Sequence, residues 1–145
     1  MEKYLQAVAD FLANNDWSEE ELEFAILQDE LVEQMEAEQI GLAAIQPILE
    51  LMEKHPLVEF GTPGAFTHFI EQFYKDNSTY YEEILLQSVL KQPTVHTVWL
   101  LNRVINGTSP ETAKVLIQTL KSIADDAAQE AEIRMAADIF FKYHL

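Results

Sequence analysis

Apolar residues recur at steps of three and four along almost the whole chain, and no stretch sustains strict apolar/polar alternation. That period matches the turn of an amphipathic helix and leaves strands without a pattern of their own. Tyr4, Leu5, Val8, Phe11 and Leu12 predict a first short helix, ended by Asn14-Asn15-Asp16. A second is expected to start with Ser18 as its cap, Glu21 closing a capping box and Trp17 stapled onto Leu22. It should turn Phe24, Leu27, Leu31 and Met35 inward and lose its pattern before Gly41. A third region covers about 42–54, where Pro47 marks either a kink or a fresh start, and His55-Pro56 closes it.

Gly61-Thr62-Pro63-Gly64 reads as a turn, with Thr62 as cap and Pro63 opening a helix to about Lys75 that faces Phe66, Phe69, Ile70 and Phe73 inward. Ser78 or Thr79 caps the next helix, to Lys91, and Gln92-Pro93-Thr94 starts another that runs through Asn106 to Gly107. Ser109-Pro110 opens one to about Ile123, and Asp125 or Asp126 begins the last, which ends in Phe140, Phe141 and Tyr143. A shift of 31 lays Pro63 on Thr94, Phe69-Ile70 on Leu100-Leu101, Ser78 on Ser109 and Ile84-Leu85 on Val115-Leu116. Two successive helical hairpins of one design are implied, although 31 is shorter than the period of about 40–47 usual for such arrays. The expected fold is a single all-α domain over residues 1–145, built as stacked antiparallel helix pairs in a HEAT- or armadillo-like array. An orthogonal helical bundle is the alternative.

With 145 residues, 48% of them hydrophobic, the chain is long enough for one domain with a real core. The absence of cysteine excludes disulfides, thiolate metal sites and cysteine nucleophiles. No apolar stretch approaches the roughly 18–20 residues that cross a bilayer, and Met1-Glu2-Lys3-Tyr4 does not start a signal peptide, so a soluble, cytoplasmic protein is expected. The net charge of −16 opposes direct binding to nucleic acid or to anionic membranes. Most of it lies early: residues 1–59 hold 15 acids and 2 bases, residues 60–145 hold 10 and 7. The fifty residues between Lys3 and Lys54 contain no Lys, Arg or His.

Little in the pattern points to catalysis. His55, His68, His96 and His144 fall on different elements without metal-ligand spacing, and His68 and His96, set among aromatic residues, read as buried or half-buried. Gly61-Thr62-Pro63-Gly64 lacks the lysine and spacing of a phosphate-binding loop, and no serine sits in a nucleophile elbow. Asp125, Asp126, Glu130 and Glu132 lack the glycine and alternating ligands of a calcium loop. Neither catalytic residues, nor a metal, nor a cofactor is expected, and the chain is read as a binder rather than an enzyme.

The informative element is the acidic second helix. At 100° per residue Glu19, Glu23, Glu30 and Glu33 share one sector opposite the core stripe, with Asp29 and Glu36 beside it and Ile26 projecting among them. Pairs such as Glu19/Glu23, Asp29/Glu33 and Glu33/Glu36 each cost about 0.2–0.5 kcal/mol, and no lysine one turn away relieves them. Such a face is either solvated or a docking surface for a cationic protein, since complementary charge speeds encounter and rejects wrong partners.

The segments Phe60-Gly61-Thr62-Pro63-Gly64-Ala65-Phe66-Thr67-His68-Phe69, Tyr81-Glu82-Glu83-Ile84-Leu85-Leu86-Gln87-Ser88 and Pro93–Asn106, the last containing Trp99, Asn102 and Arg103, resemble bacterial immunity proteins. Those proteins are encoded beside polymorphic toxins, including toxins of contact-dependent growth inhibition. The similarity covers about a third of the chain. It implies an all-helical cytoplasmic antitoxin that binds one cognate toxin C-terminal domain and occludes its active site or nucleic-acid surface. Many such toxins are basic RNases or DNases, EndoU-like RNases among them. The matching polar positions Asn102, Arg103 and Asn106 do not locate the toxin; they suit the core equally, with Arg103 on a nearby carboxylate and the asparagines closing helix ends. The toxin-facing residues are therefore read from charge as Glu19, Glu23, Ile26, Asp29, Glu30, Glu33 and Glu36. Two other readings stand beside this one: a general helical adaptor, favoured by a groove lined with Tyr74, Tyr80 and Tyr81, and an acidic mimic of nucleic acid.

Overall fold

Every segment with the three-and-four period is helical in the computed structural model of the chain, which describes residues 1–145. The elements are α1 (Glu2–Asn14), α2 (Glu21–Ala37), a 3₁₀ turn (Leu42–Ala44), α3 (Ile45–Lys54), α4 (Ala65–Glu71), α5 (Ser78–Lys91), α6 (Val95–Ile105), α7 (Pro110–Ala124) and α8 (Ala131–Tyr143). No strand forms, so the fold is all-α. No helix is long and apolar enough to cross a membrane. The chain packs as two compact units, Met1–Leu51 with Glu59–Tyr81 and Met52–Val58 with Glu82–Leu145; α3 and α5 each supply residues to both.

The first unit is organised by aromatic rings. Phe11 of α1 stacks on Phe24 of α2 at 5.2 Å, Phe24 meets Phe60 at 5.6 Å, and Phe60 meets Phe66 of α4 at 6.3 Å. Phe24, Phe60 and Phe66 are all buried. α1 ends as its sequence predicts, because the side-chain amides of Asn14 and Asn15 donate back to the carbonyls of Asp10 and Phe11. Pro47 is neither a kink nor itself the start: α3 begins at Ile45, directly after the 3₁₀ turn, and Pro47 is its third residue, within the first turn, where proline is tolerated best.

Four expected helix starts differ. Ser78, expected with Thr79 as a cap, is the first residue of α5, where the Tyr81 amide bonds to the Asn77 carbonyl at 2.9 Å. Ser18 does not cap α2. Its N–H and hydroxyl both donate to Asp16 Oδ1, at 3.0 and 2.6 Å, and the amides of Glu19 and Glu20 bond to the Asp16 carbonyl, so residues 17–19 form a separate turn and α2 begins at Glu21. These Ser18 bonds hold the Asp16 carboxyl below its usual pKa. Leu22, the expected partner of Trp17, is 69% exposed. Likewise Thr62 and Pro63 do not open α4; Gly64 takes the cap position in an extended conformation. Asp126 caps a turn through Ala128 N–H rather than a helix, and α8 waits until Ala131.

In the second unit α6, α7 and α8 pack on one another, a relation that an array of hairpins and an orthogonal bundle share. The 31-residue repeat is visible in helix starts, with α4 and α5 at 65 and 78 against α6 and α7 at 95 and 110. It fails in length, because α4 stops after 7 residues where α6 has 11. Both expected helix starts are capped here. Thr94 accepts from Thr97 N–H at 2.9 Å and Thr97 Oγ1 accepts from Thr94 N–H at 3.2 Å, while Ser109 accepts from Thr112 N–H with Pro110 in the first turn. Glu53 is clasped by the Ser88 hydroxyl at 2.7 Å and Lys91 Nζ at 3.3 Å, and Val95 N–H donates to Pro56 O.

His96 is buried as expected, against Trp99, and burial, reinforced by the Arg103 charge, lowers its pKa to about 4. His68 is exposed, contrary to expectation, because the buried face of α4 is made by Phe66, Thr67, Phe69 and Ile70.

Two outcomes follow from these assignments. Thr94→Ala should lower unfolding free energy in urea by about 1 kcal/mol or more, whereas Ser18→Ala should change it by less than about half as much. Stability should also fall as pH drops from 6.5 towards 4, since the unfolded His96 takes up a proton that the folded one refuses. The slope attributable to this group is about 1.4 kcal/mol per pH unit inside that window, and His96→Gln should remove it.

Candidate functional site

Seen from its side chains, α2 has three faces. Phe24, Gln28, Leu31 and Met35 are buried, so Gln28 takes the inward place expected of Leu27, which is only half-buried. Glu23, Ile26, Asp29, Glu30, Glu33 and Glu36 are all exposed on α2, Ile26 at 46%. Glu19 is exposed too, but it stands on the turn before α2 rather than on the helix, so the predicted Glu19/Glu23 helical pair does not form. No Lys or Arg pairs with any of these carboxylates; the nearest ion pair, Lys3–Glu38 at 2.8 Å, lies beyond the end of the helix. The last turn of α2 holds no basic residue, so Glu36 also faces the negative end of the helix dipole, which opposes a carboxylate there. Nothing in the local fold compensates this charge.

The third face borders a cleft that sequence reading did not anticipate. Glu21, Phe24, Ala25, Gln28 and Asp29 of α2 face the loop 59–64, and Trp17 and His68 complete a cleft of about 450 Å³. The loop is drawn in tightly and carries a cis Thr62–Pro63 bond. Gly61 has φ +98°, open to glycine and strained for other residues, and a Cβ on Gly64 would lie 1.9 Å from Phe60 O. Three carboxylates stand in the lining, from Glu21, Asp29 and Glu59, all exposed. Gln28 is 3% exposed, its Nε2 reaches Phe24 O at only 3.4 Å, and its Oε1 has no partner. The Phe24 carbonyl sets this orientation, because a flipped amide would oppose two oxygens. An acceptor left unpaired in this way costs about 1–3 kcal/mol.

The signal for the cleft was present as two glycines three residues apart behind Phe60, but a turn and a wall of a cleft have the same signature. Gln28 was legible only as a polar interruption of the stripe.

In the second unit, Val89, Leu90, Pro93, Val115 and Gln118 line a groove of about 540 Å³, in which Leu90 and Val115 are 66% and 55% exposed. Of the polar positions Asn102, Arg103 and Asn106, Asn102 bonds His144 at 2.6 Å, Arg103 lies over the Trp99 ring at 4.9 Å, and Asn106 ends α6. The tyrosines suggested for an adaptor groove diverge: Tyr81 is buried edge-on to Tyr74, and Tyr80 alone is exposed. No three His, Asp or Glu side chains converge on a point where a metal ion would sit. No protein-family model, curated protein or solved structure matches the chain.

Gly64→Ala should destabilise the chain by about 1–3 kcal/mol, since backbone must move to admit the methyl group. Gly41→Ala, where nothing lies within 4 Å of the added carbon, should stay within about 0.5 kcal/mol of wild type in the same urea titration.

Proposed function

We propose that this chain is a binding protein that neutralises one cationic protein partner, in the manner of an immunity protein occluding a basic nuclease toxin, and that it acts by stoichiometric contact and not by catalysis. The observation that carries this reading is the unpaired carboxylate face of α2, Glu23, Asp29, Glu30, Glu33 and Glu36, grouped around exposed Ile26 within fifty residues that contain no cation. Side chains that weaken their own helix are more economically explained by a partner than by the fold. Glu19, on the preceding turn, extends the same field. Immunity proteins supply the class of partner: a nuclease that holds nucleic acid must itself be basic, and a negative surface competes for that same site. The proposed setting is the cytoplasm, where such a toxin would act.

A second reading, a helical adaptor, draws support from the groove around Leu90 and Val115. The two readings separate under one variant. Glu23→Lys/Glu30→Lys/Glu33→Lys should slow association with a basic nuclease encoded beside the gene by about tenfold or more at low salt, and should flatten the dependence of the rate on ionic strength. An adaptor working through the α5 and α7 groove would keep its partner in that variant. Unchanged association and unchanged protection of cells would remove α2 as the docking face.

A further inference from the structure

Gln28 is the anomaly of the cleft beside α2. It is 3% exposed, its Oε1 has no hydrogen-bond partner, and its Nε2 holds Phe24 O only weakly, at 3.4 Å. Buried amides are normally paired at both ends, so a donor is missing here. Around it the lining is of two kinds: aromatic, from Trp17 and Phe24, and anionic, from Glu21, Asp29 and Glu59.

Three requirements follow for an occupant. It should be cationic, because carboxylates surround the opening; it should donate without accepting, because Gln28 Oε1 and the carboxylates are all acceptors; and it should have a flat, weakly hydrated face to lie on the indole. The guanidinium of arginine meets all three, with five N–H donors in one plane and no acceptor. The lysine ammonium meets the first two but is compact and strongly hydrated. We infer that the Trp17–Gln28 cleft receives one arginine side chain of a protein partner, with the Asp29 carboxylate accepting its N–H groups, Trp17 covering its face, and Gln28 Oε1, which is shut off from solvent in the free chain, accepting a further N–H once the lining yields. Asp29 belongs both to this cleft and to the exposed acidic side of α2, so a partner lying along that side would reach the cleft from the same helix. The inference rests on the docking of a cationic protein at α2 and adds the side chain it recognises; arginine is also a frequent anchor at the centre of protein interfaces.

The test titrates the full ¹⁵N-labelled chain with N-acetyl-arginine amide, which carries one positive charge and no free ends, and with the corresponding lysine and citrulline amides. The readouts are the Trp17 indole N–H, assigned with Trp17→Phe, and the Gln28 side-chain amide. Expected are saturable shifts at Trp17, Gln28 and residues 59–64, with lysine about tenfold weaker and uncharged citrulline without effect. Gln28→Met should weaken the arginine probe about tenfold, and Glu21→Gln/Asp29→Asn, both at exposed positions, should do so without disturbing the core. Citrulline binding as well as arginine, shifts spread over Glu30, Glu33 and Glu36 with the cleft unmoved, or no saturable shift would each overturn the inference. The probe requires no toxin, so the two failures are distinct. A chain that takes the probe but ignores the nuclease keeps the pocket and loses the toxin reading, and a nuclease bound equally by the cleft variants does the reverse.

Discussion

The packing of Phe60 against its neighbours on both sides governs the first unit. Its ring is held between Phe24 and Phe66, and its carbonyl lies where any side chain on Gly64 would have to be. Each ring pair adds about 0.5–1.5 kcal/mol beyond the area it buries, and the close backbone approach leaves the loop a single path. With Phe24 turned towards Phe60, the residues beside it on α2, Glu21, Gln28 and Asp29, must border the loop. The cleft is thus a by-product of aromatic packing, and its polar lining is what requires a further explanation.

The two units treat buried polar groups differently. In the second, Glu53 is met by Ser88 and Lys91, Thr94 and Thr97 bond each other reciprocally, and Asn102 is joined to His144. His96 stays neutral because burial makes its charged form costly. These arrangements specify one packing and leave no demand on an outside group. In the first, buried Gln28 has an unmet acceptor, and on the surface the exposed carboxylates of α2 have no cation. Polar groups whose needs the fold leaves unmet are where a partner gains the most from binding.

Charge, too, concentrates in the first part of the chain. A field of −16 repels itself, and α2 adds an acid at the negative end of its own dipole. A stretch selected for stability alone would interleave lysines one turn from the glutamates. On α2 that relief is withheld, while α7 and α8 use it in Lys121–Asp125 and Asp138–Lys142.

The helical class, most helix ends, the inward positions of Phe24, Leu31 and Met35, the Thr94 and Ser109 caps and the exposed side of α2 were all legible in residue order. Each depends on neighbours within about one or two turns. Ser18 does not cap because Asp16, two residues earlier, takes its hydroxyl. The early end of α4, the burial of Gln28 in place of Leu27, and the joining of Trp17, Gln28 and loop 59–64 into one cleft depended on groups far apart in sequence. Local periodicity is a sum over near neighbours, so it determines which side of a helix is apolar and which is charged. Only the tertiary packing of Phe60 against Phe24 and Phe66 decided which polar residues that arrangement would enclose.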